Sequence, residues 1–170
     1  MRKFPPERIV CLTEETVETL YLLGEEARIV GVSGYAVRPP QVRKEKPRVA
    51  AFTSADIPKI LALEPDIVLT FSDLQAPIVA ELITLGVTVM AYNQRDIAGI
   101  LAMIRHLGAL VGAADKAEKL AAGYEARLAE IAQKSQKKSQ KKSQEKSQKK
   151  SPPSVYFEEW DEPMITGIKW

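Results

Sequence analysis

The sequence predicts an α/β fold built on a doubly wound parallel sheet. Up to Val111, short apolar runs alternate with stretches that have the periodicity of helices. The apolar runs lack a strict alternation of apolar and polar residues, which is typical of strands buried on both faces of a parallel sheet. The connections are short, and strand–helix–strand units with short connections close right-handed into such a sheet.

Five strands and four helices are predicted in this part of the chain. The strands are Arg8–Leu12, Arg28–Val32, Arg48–Ala51, Asp66–Phe71 and Val87–Tyr92. The helices are Glu14–Leu23, Asp56–Leu63, Leu74–Leu85 and Asp96–Val111. Asp56 and Asp96 are predicted N-caps, and Gly24 and Gly86 follow helix ends, where glycine commonly closes a helix.

The loop Gly31–Pro40 follows the second strand and is the most informative segment of the chain. It carries two glycines, Tyr35 and the pair Pro39–Pro40. Glycine lets the backbone turn sharply, and the prolines prevent a central strand or helix from continuing. The loop is therefore predicted to present Tyr35 at the carboxyl end of a strand, where open α/β sheets bind ligands. A structural turn with Tyr35 packed on the core is the alternative.

A long helix is predicted beyond Gly112. Asp115–Ala132 has the apolar face of one amphipathic helix and runs into Lys134–Ser151, four copies of Lys-Ser-Gln-Lys in which Glu145 replaces one lysine. The repeat has no apolar residue, so it is predicted to extend the helix without joining a core. It also lacks the aromatic and arginine side chains that recognise nucleic acids, so no nucleic-acid partner is predicted.

Charge is distributed unevenly along the chain. The net charge is +2, but residues 134–150 hold eight lysines and one glutamate, so the remaining residues are net acidic. The basic character belongs to the repeat alone.

Three other segments bear on disulfide bonds, export and domain organisation. Cys11 is the only cysteine, which excludes an intrachain disulfide, and its apolar neighbours predict a buried side chain. Met1–Pro6 lacks the apolar stretch of a signal peptide, and no apolar run is long enough to span a membrane. Pro152–Pro153 stops any helix, and we expect the residues from there to Trp170 to open a second, truncated domain.

The residues that carry chemistry do not predict an enzyme. No Gly-x-Gly-x-x-Gly loop follows a strand, no P-loop is present, and His106 is the only histidine. The donors for a zinc site are too few, so neither a metal site nor a cofactor is predicted. Glu14 and Glu15 lie at a helix N-terminus, where the helix dipole favours carboxylates. Their main predicted role is therefore to stabilise the helix, and contact with a ligand is the secondary one.

The order of motifs resembles a known family. The motifs are Thr13–Glu18, the loop Gly31–Tyr35 with Pro39–Pro40, and the run Ile60–Leu69. In this order they resemble the vitamin B12-binding proteins of bacterial ABC importers, within the wider group that binds cobalamin, iron-siderophores or haem. The run Ile60–Leu69 is common to the wider group. The loop Gly31–Pro40, called the tyrosine loop below, and a sixth predicted strand, Val155–Trp160, favour the cobalamin branch.

The resemblance implies one lobe of a two-lobed helical-backbone metal-receptor fold, with a long connecting helix. Members hold their ligand in a cleft between two α/β lobes. Residues 1–113 would form the N-terminal ligand-binding lobe, 114–151 the backbone helix with the lysine repeat, and 152–170 the start of a truncated C-terminal lobe.

The resemblance also implies the ligand-binding residues. Tyr35 matches an aromatic residue that lines the cleft, Phe52 falls where members place a tryptophan, and Phe71 or Ser72 ends the next strand. The full predicted set is Ser33, Gly34, Tyr35, Phe52, Phe71 and Ser72, with Glu14 and Glu15. The alternative for Phe52 and Phe71 is that they only close the edge of the sheet. Asp56 lies beside Pro58, where the family carries a glutamate that docks on the permease, and is expected to substitute for it.

The function implied is that of a substrate-binding component of an ABC importer, binding cobalamin or a related corrinoid and impaired by truncation. The partners would be this small molecule and, if the protein is exported, the ABC permease. The family is periplasmic or extracytoplasmic, whereas this chain shows no signal peptide. Two alternatives remain: an iron-siderophore or haem binding protein of the same fold, and an interaction module that uses the basic repeat.

Overall fold

The structure contains the parallel sheet that the sequence predicts. The computed structural model describes residues 4–145, 158–161 and 164–166, with side-chain surroundings for residues 4–137. The strands of the sheet are β1 (Ile9–Cys11), β2 (Ile29–Ser33), β3 (Arg48–Ala50), β4 (Ile67–Phe71) and β5 (Val89–Tyr92). Their order is β3-β2-β1-β4-β5, and all neighbours are parallel. The predicted α/β class is confirmed.

Six helices accompany the strands in the described residues. They are α1 (Glu14–Leu23), α2 (Val42–Glu45), α3 (Ile57–Ala62), α4 (Ala76–Thr84), α5 (Ile97–Leu110) and α6 (Ala114–Glu145). Helix α2 was not predicted, because four residues are too few to show a period. It begins just after Pro39–Pro40, where the Val42 N–H donates to the Pro39 carbonyl at 3.1 Å. Helix α4 begins two residues later than predicted, since Asp73–Gln75 form a 3₁₀ turn.

The predicted caps explain where the helices begin and end. The Asp56 carboxylate accepts from the Lys59 N–H at 3.0 Å, and the Asp96 carboxylate accepts from the Gly99 N–H at 2.6 Å. Gly24 and Gly86 have φ of 73° and 79°, the left-handed conformation in which glycine closes a helix without strain. These four capping predictions are confirmed.

Both faces of the sheet are buried. Strands β1 and β4 are buried along their whole length, which accounts for the missing alternation in their sequences. One face packs under α3 and α4 in a cluster of Val10, Leu12, Val49, Ile57, Ile60, Val68, Ile78 and Leu82. The opposite face of β1 carries Ile9 and Cys11, both fully buried, on the side of α1 and α5.

Gly31 is required by packing rather than by a turn. It lies inside β2, and a Cβ there would stand 2.7 Å from Leu63 Cδ1 and 3.2 Å from Val49 Cγ1. The glycine thus lets the segment after α3 pack directly on the strand that leads to the tyrosine loop.

The chain divides into two units, Met1–Lys119 and Leu120–Trp170. The second contains most of α6, the predicted long helix, whose backbone stays helical to Glu145 within the lysine repeat. It also contains an antiparallel pair, β6 (Glu158–Asp161) and β7 (Met164–Thr166). Of the strand predicted at Val155–Trp160, the residues before Glu158 lie outside the described part. Among the described residues no helix has the length and hydropathy needed to cross a membrane.

The buried thiol gives a direct test of this arrangement. Cys11 is fully buried on the central strand, and burial raises the pKa of its thiol to about 12. Because only an exposed thiolate reacts readily, Ellman's reagent at pH 8 should label the native chain only as fast as β1 opens. In 6 M guanidinium chloride the single thiol should react at once. Stoichiometric labelling of the native chain within minutes would contradict the central, buried position of β1.

Candidate functional site

The strand order opens a crevice at the carboxyl edge of the sheet. Strands β1 and β4 are neighbours. After β1 the chain continues to β2 on one side of this pair, and after β4 it continues to β5 on the other side. Loops that diverge from adjacent parallel strands leave a gap between them, and open α/β sheets bind ligands there. Since all five strands are parallel, the predicted residues that follow β1, β2, β3 and β4 meet at this one edge.

The loop after β2 is fixed at its base and open at its tip. The Gly34 N–H donates to the Ala50 carbonyl at 2.7 Å, which ties the loop to the end of β3. Ser33 is buried, and its hydroxyl oxygen accepts from the Tyr35 N–H at 3.3 Å. Tyr35 itself is 56% exposed. Within the predicted set, Ser33 and Gly34 therefore hold the loop, and Tyr35 is the side chain that the loop presents to solvent.

The two predicted phenylalanines, Phe52 and Phe71, differ in their exposure to solvent. Phe52, just after β3, is half-buried. Phe71, the last residue of β4, is only 8% exposed, and the Arg95 guanidinium carbon lies 5.6 Å from the centre of its ring. A group that approaches the end of β4 therefore meets Arg95 in front of the Phe71 ring.

Ser72 has the backbone conformation of a strained position. Its φ is 66°, which is unfavourable for a residue with a side chain. Three hydrogen bonds hold it: its N–H donates to the Tyr92 carbonyl at 2.9 Å, its hydroxyl oxygen accepts from the Leu74 N–H at 3.3 Å, and its carbonyl accepts from the Gln75 N–H at 3.3 Å. The turn at Ser72 ends β4 and directs the following residues into the 3₁₀ turn.

Gln75 joins three strand ends, and no feature of the sequence predicts this role. The side chain is fully buried. Its Nε2 donates to the Leu12 carbonyl at 3.1 Å and to the Phe52 carbonyl at 2.8 Å, and its Oε1 accepts from the Phe71 N–H at 3.0 Å. The loops after β1 and β3 and the end of β4 are thus held by one amide. Glutamine is usually a surface residue, so no sequence pattern would single it out.

Glu14 and Glu15 lie in the first turn of α1, as predicted. Glu14 is partly exposed, whereas burial is the main cause that raises the pKa of Glu15. Glu15 lies beside Gln94, which follows β5. Within the part of the chain with described side chains, Glu15 Oε1 and Gln94 Oε1 have no hydrogen-bond partner. This corner of the edge therefore holds two buried acceptor atoms.

Arg95 and Asp73 form an ion pair across the ends of β4 and β5. Arg95 Nη2 lies 3.1 Å from Asp73 Oδ1, and the two side chains are 33% and 81% exposed. Sequence reasoning missed both residues, because each lies in a short loop without a motif. The pair is brought together by the register of the sheet, in which Phe71 stands opposite Tyr92.

Asp56 lies apart from these groups, at the start of α3. Its carboxylate caps that helix, and Pro58 follows in the first turn, where proline is well tolerated. No cluster of three or more His, Cys, Asp or Glu side chains suited to a metal ion occurs among the residues with described side chains.

Comparison with known families identifies the chain. The sequence model of the periplasmic binding proteins matches residues 9–168. This chain belongs to the periplasmic binding protein family.

The family members that this chain resembles are longer than the chain itself. A vitamin B12-binding protein of Vibrio cholerae is 30% identical over 131 residues, which cover 76% of this chain and 47% of the relative. The crystal structure of the periplasmic vitamin B12 binding protein BtuF of Vibrio cholerae superposes with a TM-score of 0.78 at 27% identity, covering 96% of this chain and 60% of that one. A periplasmic haem binding protein of Pseudomonas aeruginosa superposes with a TM-score of 0.69 at 27% identity over 75% of this chain and 46% of that one. The chain spans about half the length of the curated relatives it matches.

The contribution of Gln75 to the stability of the fold is measurable. Gln75→Leu would leave two carbonyls and one N–H without their partner, and each buried unsatisfied group costs about 1–3 kcal/mol. With three such groups, we expect the free energy of unfolding in urea to fall by roughly 3 kcal/mol or more. The same change at Gln41, which is exposed, should leave it within about 0.5 kcal/mol. An equally small effect at Gln75 would show that the three loops are held by other contacts.

The raised pKa of Glu15 predicts a pH-dependent contribution to stability. Burial disfavours the charged form, so the contribution of this carboxyl is complete below its ordinary pKa of 4.5 and is lost as the pH rises through its raised value in the folded protein. Glu15→Gln removes this loss, so the variant should melt at a higher temperature than the unmodified chain at pH 7, with the difference shrinking at pH 4. Glu81→Gln, at an exposed position on α4, is the control for the same chemical change at the surface. A variant that is less stable at pH 7 would show that ionised Glu15 stabilises the fold.

Proposed function

We propose that this chain is the ligand-binding part of the substrate-binding component of an ABC importer, and that its ligand is cobalamin or a related corrinoid. The observation that carries the proposal is the exposed aromatic ring of Tyr35, presented on a fixed loop at the edge of the crevice. Aromatic rings suit large, mostly apolar ligands, and Tyr35 is the predicted contact residue that its loop leaves open to solvent.

The dimensions of the edge support a large ligand. Tyr35 follows β2 and Arg95 follows β5, and these strands are separated by β1 and β4. Three strand spacings correspond to about 14 Å. A flat macrocycle can cover this distance and contact both ends at once, whereas a small solute would contact only one.

The comparisons support a corrinoid more than haem. The structure of the Vibrio cholerae vitamin B12 binding protein superposes on 96% of the chain, against 75% for the haem binding protein at the same identity. Haem remains the second candidate, because it is also a large macrocycle and the edge of the sheet would accommodate it.

The proposal extends to the organisation and partners of the chain. Residues 1–113 would form the ligand-binding lobe, 114–151 the connecting helix and 152–170 the beginning of the second lobe. The partners would be the small-molecule ligand and the ABC permease, with the exposed Asp56 as the permease contact. No cofactor is part of the proposal.

The role of Tyr35 is tested by its truncation. Tyr35→Ala should weaken the binding of cyanocobalamin by about 1–3 kcal/mol, the contribution of one large side chain to a buried contact. Isothermal titration calorimetry measures the affinity directly, and Tyr124→Ala, which removes a tyrosine that is 39% exposed on α6, is the matched control. Unchanged affinity would make Tyr35 a structural residue, and the absence of binding by the unmodified chain would refute a corrinoid ligand.

A further inference from the structure

Arg95 is the one cation, among the residues with described side chains, that lies over an aromatic ring at the carboxyl edge of the sheet. Its guanidinium carbon is 5.6 Å from the centre of the Phe71 ring, and Nη2 is 3.1 Å from Asp73 Oδ1. The ring and the carboxylate together restrict the movement of the guanidinium. A preorganised guanidinium loses little entropy when it binds a further group.

The Arg95–Asp73 pair is positioned to exchange partners. The Asp73 side chain is 81% exposed, and ion pairs at such exposure contribute little to stability. A guanidinium has five N–H donors in a fork that matches the geometry of carboxylate and phosphate groups. A third of the Arg95 side chain is exposed, so an anion from solution can reach it.

We propose that Arg95 binds an anionic oxygen group of the ligand, a phosphate or a carboxylate, and that Asp73 is the internal anion which this group displaces. The inference rests on the proposed function, because it concerns the same edge of the sheet. It adds a requirement that an exposed aromatic ring does not impose: the ligand carries a negative charge about 14 Å from the part that packs on Tyr35.

The neighbouring carboxylates set the limits of this site. Glu14 and Glu15 lie at the start of α1, and Glu15 is beside Gln94, the residue before Arg95. Burial favours the neutral form of Glu15, which reduces its repulsion of an anion. The Asp73 carboxylate, which lies 3.1 Å from Arg95 Nη2, competes with the incoming anion, and removing its charge should strengthen anion binding at Arg95.

Two corrinoids, one with a phosphodiester and one without, provide the test. Cyanocobalamin carries a phosphodiester in its nucleotide loop, whereas dicyanocobinamide lacks the nucleotide and its phosphate. Both are titrated into the full chain at low ionic strength, together with haem, whose propionates are carboxylates. The variants are Arg95→Gln, Arg95→Lys and Asp73→Asn, and Arg43→Gln, at an exposed position on α2, is the control for the loss of one positive charge.

The expected pattern has opposite signs at the two residues. Arg95→Gln should weaken cyanocobalamin about tenfold or more, the effect of one charged hydrogen bond, and change dicyanocobinamide less than twofold. Asp73→Asn should tighten cyanocobalamin, and Arg43→Gln should change neither ligand. Arg95→Lys keeps the charge and should retain part of the preference for cyanocobalamin, which separates anion binding from any loss of folding. If only haem binds, the same pattern for haem assigns the carboxylate as the recognised group.

Other outcomes would overturn the inference in recognisable ways. Equal losses for both corrinoids in Arg95→Gln would mean that Arg95 supports the surface and does not recognise an anion. Weaker cyanocobalamin binding in Asp73→Asn would mean that Asp73 orients Arg95 and does not compete with the ligand. If the unmodified chain binds none of the three ligands, the proposed function fails and the inference fails with it, whereas binding that is insensitive to Arg95 refutes the inference alone.

Discussion

The carboxyl edge of the sheet depends on the buried amide of Gln75. A parallel strand that ends leaves backbone groups which its neighbours no longer pair, and a buried unpaired group is costly. Here the carbonyls of Leu12 and Phe52 and the N–H of Phe71 are satisfied by one side chain. Because an amide has both donors and an acceptor, it can serve groups of opposite polarity at the same point. The loops around the crevice are therefore positioned relative to each other by hydrogen bonds and not only by the strands.

The tyrosine loop is linked to the Gln75 side chain through residues at the end of β3. The Gly34 N–H donates a hydrogen bond to the Ala50 carbonyl, and the carbonyl of Phe52, two residues further, accepts one from the Gln75 side chain. The exposed ring of Tyr35 is thus a short chain of hydrogen bonds away from the buried core. Arg95 is held in a different way, by a ring and an exposed carboxylate. The edge combines a rigid aromatic contact with a charged group whose partner is exchangeable.

The fold was readable from the sequence because its signals are local. Buried strands appear as apolar runs, and Asp56, Asp96, Gly24 and Gly86 mark helix ends through contacts within a few residues. The short helix α2 was missed because it has no period. The ends of the strands were also predicted, and with them the position of Tyr35. Gln75 and Arg95 were not predicted, since their roles depend on contacts with residues that are distant in sequence. Gln75 and Leu12, for example, are 63 residues apart. For the same reason the sequence predicts a turn residue at Gly31, whereas the side chains of Leu63 and Val49 are what require a glycine there.

The strand order has a consequence for how the lobe assembles during synthesis. Strand β1 pairs with β2 on one side and with β4 on the other, where Ile9 stands opposite Ile67. The first three strands can therefore pair as they leave the ribosome, but β1 remains an open edge until the segment ending at Phe71 has emerged. An apolar edge strand is the part of a sheet that most readily joins other chains. The nascent chain thus passes through an interval in which its future central strand is an open edge, and the polypeptide gains Gln75, the residue that fixes the carboxyl edge, just after that interval ends.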